Sequence, residues 1–281
     1  MRSTIVNFFL LLTLLPHQII ANPRDECRNR KFDKYLVSIQ TDLKHRCTGV
    51  ILNSNTILTT ALCLTDHIYR TSAPGTCDCA KNVSVIYSVG SGNMEGLICA
   101  KDIKVLKTVM HPAYNRSAKE VEYDVAILKT KGYMDLGKAW KEPPLSSDTW
   151  KVMENCDAEA VLTGFWMDKY QKEPNVQAPC IDVQVANKKL CMTAEGEFKP
   201  VARNKMEPRV MCVFDSNLKS PSICRGYFGS PIFCREKKTG ISILYGFLSH
   251  RKGFSERCEP DETLVYARLQ TYNDFLQRER V

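Results

Sequence analysis

Beyond its first two dozen residues this chain has no apolar run long enough to cross a bilayer, which takes about 20 residues in a helix. It also lacks any Cys-x-x-Cys pair; Cys77-Asp78-Cys79 is the one close pair, so a zinc knuckle is not expected. Basic residues form short clusters such as Lys44-His45-Arg46, not long runs, and no nucleic-acid motif is present. No internal repeat or low-complexity tract stands out, and helical periodicity is missing except at the carboxyl end. These absences leave no expected metal, cofactor, nucleic-acid partner or membrane span. The 281 residues suffice for one large β domain or two small ones with a sizeable core.

What the chain does have begins with a leader. MRSTIVNFFLLLTLLPHQIIA carries Arg2, an apolar run from Phe8 to Leu15 and a small residue at Ala21. That is the pattern of a signal peptide over residues 1–21, cleaved after Ala21, and it predicts a secreted, extracellular protein. Thirteen cysteines spread over the remainder suit an oxidising compartment. Asn82-Val83-Ser84 and Asn115-Arg116-Ser117 are glycosylation acceptor patterns at Asn82 and Asn115. The formal charge is +8, and loss of Arg2 leaves 38 basic against 31 acidic residues, or +7. Such a balance aids solubility and favours acidic partners.

Short stretches rich in Val, Ile, Leu, Thr and Tyr recur along the chain: Lys34–Thr41, Cys47–Leu52, Val83–Val89, Ile103–Met110, Asp124–Thr130, Ala158–Phe165, Ile241–Ser249 and Leu264–Leu269. Turn formers such as Asn53-Ser54-Asn55 and Gly90-Ser91-Gly92-Asn93 separate them. Only the end reads helical, with Leu269, Tyr272, Phe275 and Leu276 on one face. Many short strands with turn signals predict an all-β sandwich or barrel.

An ordered set of motifs goes further. Tyr35-Leu36-Val37-Ser38-Ile39 is followed by Cys47-Thr48-Gly49-Val50-Ile51-Leu52, which is similar to a CGGSLI strand. Ile57-Leu58-Thr59-Thr60-Ala61-Leu62-Cys63 matches VLTAAHC in register, and His111-Pro112-Ala113-Tyr114-Asn115 matches HPxYN. Tyr123-Asp124-Val125-Ala126-Ile127-Leu128-Lys129 matches NDIALLKL. Cys156 with Thr163-Gly164-Phe165-Trp166 is similar to C…GWG, and Val265-Tyr266-Ala267-Arg268-Leu269 to VYTRV. Cys224-Arg225-Gly226-Tyr227-Phe228-Gly229-Ser230-Pro231 resembles CxGDSGGP. Together these resemble the trypsin and chymotrypsin family over nearly the whole of residues 22–281. The resemblance implies two packed six-stranded antiparallel β-barrels with a C-terminal helix. The amino-terminal barrel would occupy about 34–140 and the other about 150–281, with a cleft between them.

The family's chemistry needs a serine nucleophile, a histidine to take its proton and an aspartate to orient that histidine. The resemblance puts Leu62 at the histidine position, Asp124 at the aspartate and Phe228 at the serine. Leucine takes up no proton and a phenyl ring attacks no carbonyl. His45, His67, His111 and His250 have no evident nucleophile beside them, though His250 falls near the strand matched to the family's SWG. No IVGG-like terminus lies between Cys27 and Tyr35, and the aspartate that would pair with it is Tyr227. The former specificity pocket maps to Ser222, Arg251 and Leu264, whose side chains would fill the slot. Asp124 would then be a buried carboxylate accepting backbone or hydroxyl hydrogen bonds, with Thr60 as one partner.

The resemblance also implies disulfides Cys47–Cys63, Cys156–Cys234, Cys191–Cys212, Cys224–Cys258 and Cys27–Cys180. Cys77, Cys79 and Cys99 are left over; two can pair, leaving a buried thiol or an intermolecular disulfide. The expected function is a secreted non-catalytic homologue, similar to the inactive serine protease homologues of arthropod secretions. It would bind a protease, substrate or inhibitor and modulate its activity. A second reading is a cationic protein that binds polyanions or microbes through Arg235-Glu236-Lys237-Lys238 and Arg251-Lys252. A third is an active endopeptidase with an unfamiliar arrangement.

Overall fold

A computed structural model describes residues 32–65, 83–88, 100–115, 123–145, 160–163, 180–185, 210–215, 228–235, 240–251 and 264–280. The expected signal peptide lies outside them. Twelve strands are present among the described residues. The first six are β1 (Leu36–Thr41), β2 (Lys44–Asn53), β3 (Thr56–Thr59), β4 (Val83–Ser88), β5 (Ala100–Met110) and β6 (Ala126–Thr130). They close a barrel in the order β1-β2-β3-β6-β5-β4 with every neighbouring pair antiparallel. The others are β7 (Ala160–Thr163), β8 (Cys180–Val185), β9 (Val210–Asp215), β10 (Pro231–Arg235), β11 (Ser242–Arg251) and β12 (Leu264–Arg268).

The middle of the first barrel shows why its strands read as unbroken apolar runs. Successive residues go to opposite faces of a strand, so a strand buried on both faces needs apolar side chains throughout. In β2, Ile51 joins the barrel interior, while Val50 and Leu52 join a second cluster outside it. β3 splits the same way with Ile57 inside and Leu58 outside, and β6 with Leu128 inside and Ile127 outside. The outer cluster continues into Phe233, Leu244, Phe247 and Ala267 of the second half and into the terminal helix. Phe32 stacks on Phe233 with ring centroids 4.4 Å apart, and Trp140 donates its indole N–H to the carbonyl of Lys34.

The expectation of two packed six-stranded antiparallel barrels needs correction. All six strands of the first barrel send side chains into one interior cluster. In the second half the described core side chains come from three strands, β10, β11 and β12. There β7, β8 and β9 join the ring through backbone pairing, in the order β10-β11-β12-β9-β8-β7. Among the described side chains the packed core is the first barrel with the C-terminal helix, and the second ring meets them through Phe233, Leu244 and Phe247.

Element boundaries differ in smaller ways. β3, β8, β9 and β10 are not among the eight stretches picked out by composition; each has four to six residues, too few for alternation to stand out. The carboxyl end is a 3-10 turn, Leu269–Tyr272, followed by helix α1, Asn273–Arg280. Leu269, Tyr272, Phe275 and Leu276 are all buried, as their spacing predicts. Residues 61–65 are also helical, although only the end of the chain reads so from its sequence.

Candidate functional site

The helical turn at 61–65 leaves backbone N–H groups with no partner inside it, as every helix start does. Two side chains supply the acceptors. Thr60 accepts the N–H of Cys63 at 3.1 Å, the geometry of an N-cap. Asp124 accepts the N–H of Leu62 on Oδ1 at 2.7 Å, placing a carboxylate at the positive end of the turn. Its Oδ2 accepts the hydroxyl of Ser249 at 2.5 Å. Asp124 thus accepts one backbone and one hydroxyl bond, but the hydroxyl belongs to Ser249 and not to Thr60. Ser249 lies at the strand matched to SWG, the one sequence cue that leads to it.

Backbone geometry fixes Asp124. Tyr123 has φ of 57°, a left-handed conformation that bulky residues seldom adopt. Its ring stacks on His111 at 4.7 Å, and the N–H of His111 donates to Val125. His111 also packs against Phe275 of α1, so this histidine ties the approach to β6 to the terminal helix.

Leu62 is buried at 3% exposure, and Asp124 at 1%. Phe228 is half-buried, and its ring packs on the interior cluster of the first barrel that includes Ala61, Cys63 and Leu64. Its carbonyl accepts the N–H of Thr48 at 2.9 Å. The next residue, Gly229, donates to Leu248 and holds φ of 86°. A Cβ there would sit 2.0 Å from the Thr48 carbonyl oxygen, so only glycine lets the segment lie this close to β2. The three positions matched to the triad are thus gathered where the two halves meet, with Leu62 and Asp124 directly bonded.

Arg251 and Leu264, the expected pocket walls, are backbone register partners in the β11–β12 ladder, and of both only the backbone is described. Ser222, Gly226, Tyr227 and His67 lie outside the described residues. Cys47 and Cys63 are joined by a disulfide, the pair named by the resemblance. Cys234 is disulfide-bonded as well. Cys27, Cys77, Cys79, Cys99, Cys156, Cys191, Cys224 and Cys258 lie outside the described residues, and of Cys180 in β8 and Cys212 in β9 only the backbone is described. Asn115 is exposed, as glycosylation requires, and Asn82 is not described. The basic stretches 236–238 and Lys252 are not described either. His45 is fully buried with its Nδ1 2.8 Å from the Ser38 hydroxyl. Among the described residues no group of His, Cys, Asp and Glu side chains is placed to hold a metal.

Known proteins give the comparison. The chain matches the Trypsin family over residues 22–276. It is 26% identical over 208 residues to hypodermin-B of Hypoderma lineatum, covering 73% of this chain and 70% of that protein. It is 22% identical over 255 residues to phenoloxidase-activating factor 3 of Holotrichia diomphalia, covering 83% of this chain and 63% of that protein. Among solved structures it is similar to neuropsin, a serine protease expressed in the limbic system of mouse brain, with a TM-score of 0.63. That likeness covers 91% of this chain and 98% of neuropsin at 19% identity, and bears on the fold alone. With its match running over residues 22–276, the chain belongs to the trypsin family.

Proposed function

We propose that the protein is a secreted, non-catalytic member of the trypsin family that binds a protease, a protease substrate or an inhibitor and modulates proteolysis. The observation that carries this reading is the use made of Asp124. In a triad its carboxylate would orient an imidazole; here it caps the turn bearing Leu62 and takes the Ser249 hydroxyl. Leu62 offers no base, and Phe228 offers a half-buried apolar ring packed against the first barrel's interior cluster in place of a nucleophile. Loss of either partner costs several orders of magnitude, and loss of both removes the nucleophilic route.

Secretion is supported by the leader pattern, by a family match that begins at residue 22, and by the disulfides at Cys47, Cys63 and Cys234. A modulating role is supported by one relative, whose name describes a factor that activates phenoloxidase. The test uses purified mature protein twice, first against a broad peptide library and then as bait in the native secretion. We expect no turnover and stoichiometric capture of a protein at high salt. Turnover that Asp124→Ala abolishes would overturn the non-catalytic reading, and a strictly inert monomer would overturn the modulating one.

A further inference from the structure

β5 carries a bulge: Val105 pairs with Thr130 and Lys107 with Lys129, leaving Leu106 without a partner residue between them. A bulge re-aims side chains, and here it sets Leu106 and Lys107 side by side on the surface. Leu106 is 64% exposed although Val105 before it is buried in the barrel. Immediately after β6 the N–H of Lys131 donates to the carbonyl of Lys104 at 2.8 Å, bringing those two exposed lysines together. Two residues on, Tyr133 is 78% exposed.

Like charges meet on this face. Lys107 and Lys129 stand directly opposite each other, an arrangement that cross-strand pairs normally avoid. The Lys129 amine donates to the Thr56 hydroxyl at 2.9 Å. Burial holds its pKa below the usual lysine value, with Lys107 adding to the effect and Glu279 of α1 opposing it. Among the described residues the ion pairs are Lys101–Asp135 and Arg280–Glu142, and neither engages Lys104, Lys107 or Lys131. Asp102, exposed on β5, and Glu279 offset part of the positive charge.

We propose that Lys104, Leu106, Lys107, Lys131 and Tyr133 form a docking surface for an acidic polypeptide segment that carries an apolar or aromatic side chain. The lysines supply the charge complement, which speeds encounter and fixes register. Leu106 and Tyr133, both exposed, supply the apolar contact, because covering apolar surface removes it from water. A purely ionic partner would leave both side chains wet and would meet Asp102 and Glu279 as well. The proposal rests on the modulator reading only for the kind of partner; the surface uses none of the residues at the matched triad positions.

The experiment is fluorescence anisotropy on the full mature protein. The probe is a labelled peptide of glutamates interrupted by phenylalanine, with polyglutamate and heparin as comparators. We expect the phenylalanine-bearing peptide to bind tightest. The triple change Lys104→Glu, Lys107→Glu and Lys131→Glu should weaken it about tenfold or more. Leu106→Ser should weaken that peptide and leave polyglutamate unchanged; these positions are exposed, and unchanged melting curves would verify that the variants fold. Heparin binding as tightly, with Leu106→Ser silent, would replace the proposal with a simple polyanion site. No binding, or binding indifferent to charge reversal, would remove the surface. Capture of a protein partner by such a charge-reversed variant would remove this surface yet leave the modulator reading standing.

Discussion

The N–H of Leu62 reaches Oδ1 of Asp124 across 2.7 Å although 62 residues separate them. With Ser249 on the other oxygen, one carboxylate joins the helical turn after β3, the start of β6 and the far end of β11. In this chain Asp124 links the two halves of the fold.

Asp124→Ala should therefore destabilise the protein. Two buried donors, the Leu62 N–H and the Ser249 hydroxyl, would lose their acceptor, at a cost of about 3 kcal/mol. Thermal melting of the purified variant measures it, and a change below about 1 kcal/mol contradicts this role. Ser249→Ala leaves the Leu62 N–H bonded to Asp124 and should cost less.

Gly229→Ala should be among the most damaging small substitutions. It adds a side chain at φ of 86° and drives a Cβ to within 2.0 Å of the Thr48 carbonyl oxygen and 2.6 Å of the Thr59 hydroxyl. Both strain and forced separation of the Phe228 segment from β2 act together, so a loss above about 3 kcal/mol is expected. The readout is the midpoint of chemical denaturation, compared with Gly132→Ala, where a Cβ meets nothing within 4 Å.

Removing the disulfide by Cys47→Ala with Cys63→Ala opens a link between residues 16 apart in sequence. A loop of that size is worth about 3 kcal/mol through the unfolded state. Both cysteines are buried beside Ala61 and Leu64, so the truncated side chains add a small packing loss. Melting in the absence of reductant is the measurement, and an unshifted melting point would argue against the link as a source of stability.

Lys129 should titrate below the ordinary lysine value, principally because it is partly buried and next because Lys107 faces it. Its folded pKa lies under its unfolded one, so the unfolded chain holds the proton more tightly in the window between them. Stability from this group therefore rises as pH climbs through the folded value and levels off above the unfolded one. Lysine NMR should show Lys107→Ala moving the Lys129 titration up and Glu279→Gln moving it further down. No response to either change would separate the shift from these neighbours.

The sequence by itself determined a good deal. The order of the motifs, the runs Val50-Ile51-Leu52 and Ala126-Ile127-Leu128, and the apolar face of the terminal helix are local patterns, so they were legible without coordinates. The identities of Leu62, Asp124 and Phe228 at the matched triad positions, and the pairing of Cys47 with Cys63, came from the family resemblance. Tertiary structure decided what those residues touch. Ser249 is 125 residues from Asp124, and no local signal favours it over Thr60. The bulge that turns Leu106 outward depends on which residue of β6 each residue of β5 meets, a register set by packing across the barrel. Propensity and pattern act over a few neighbouring residues; a hydrogen-bond partner or a re-aimed side chain depends on strands the chain brings together only when it closes the barrel.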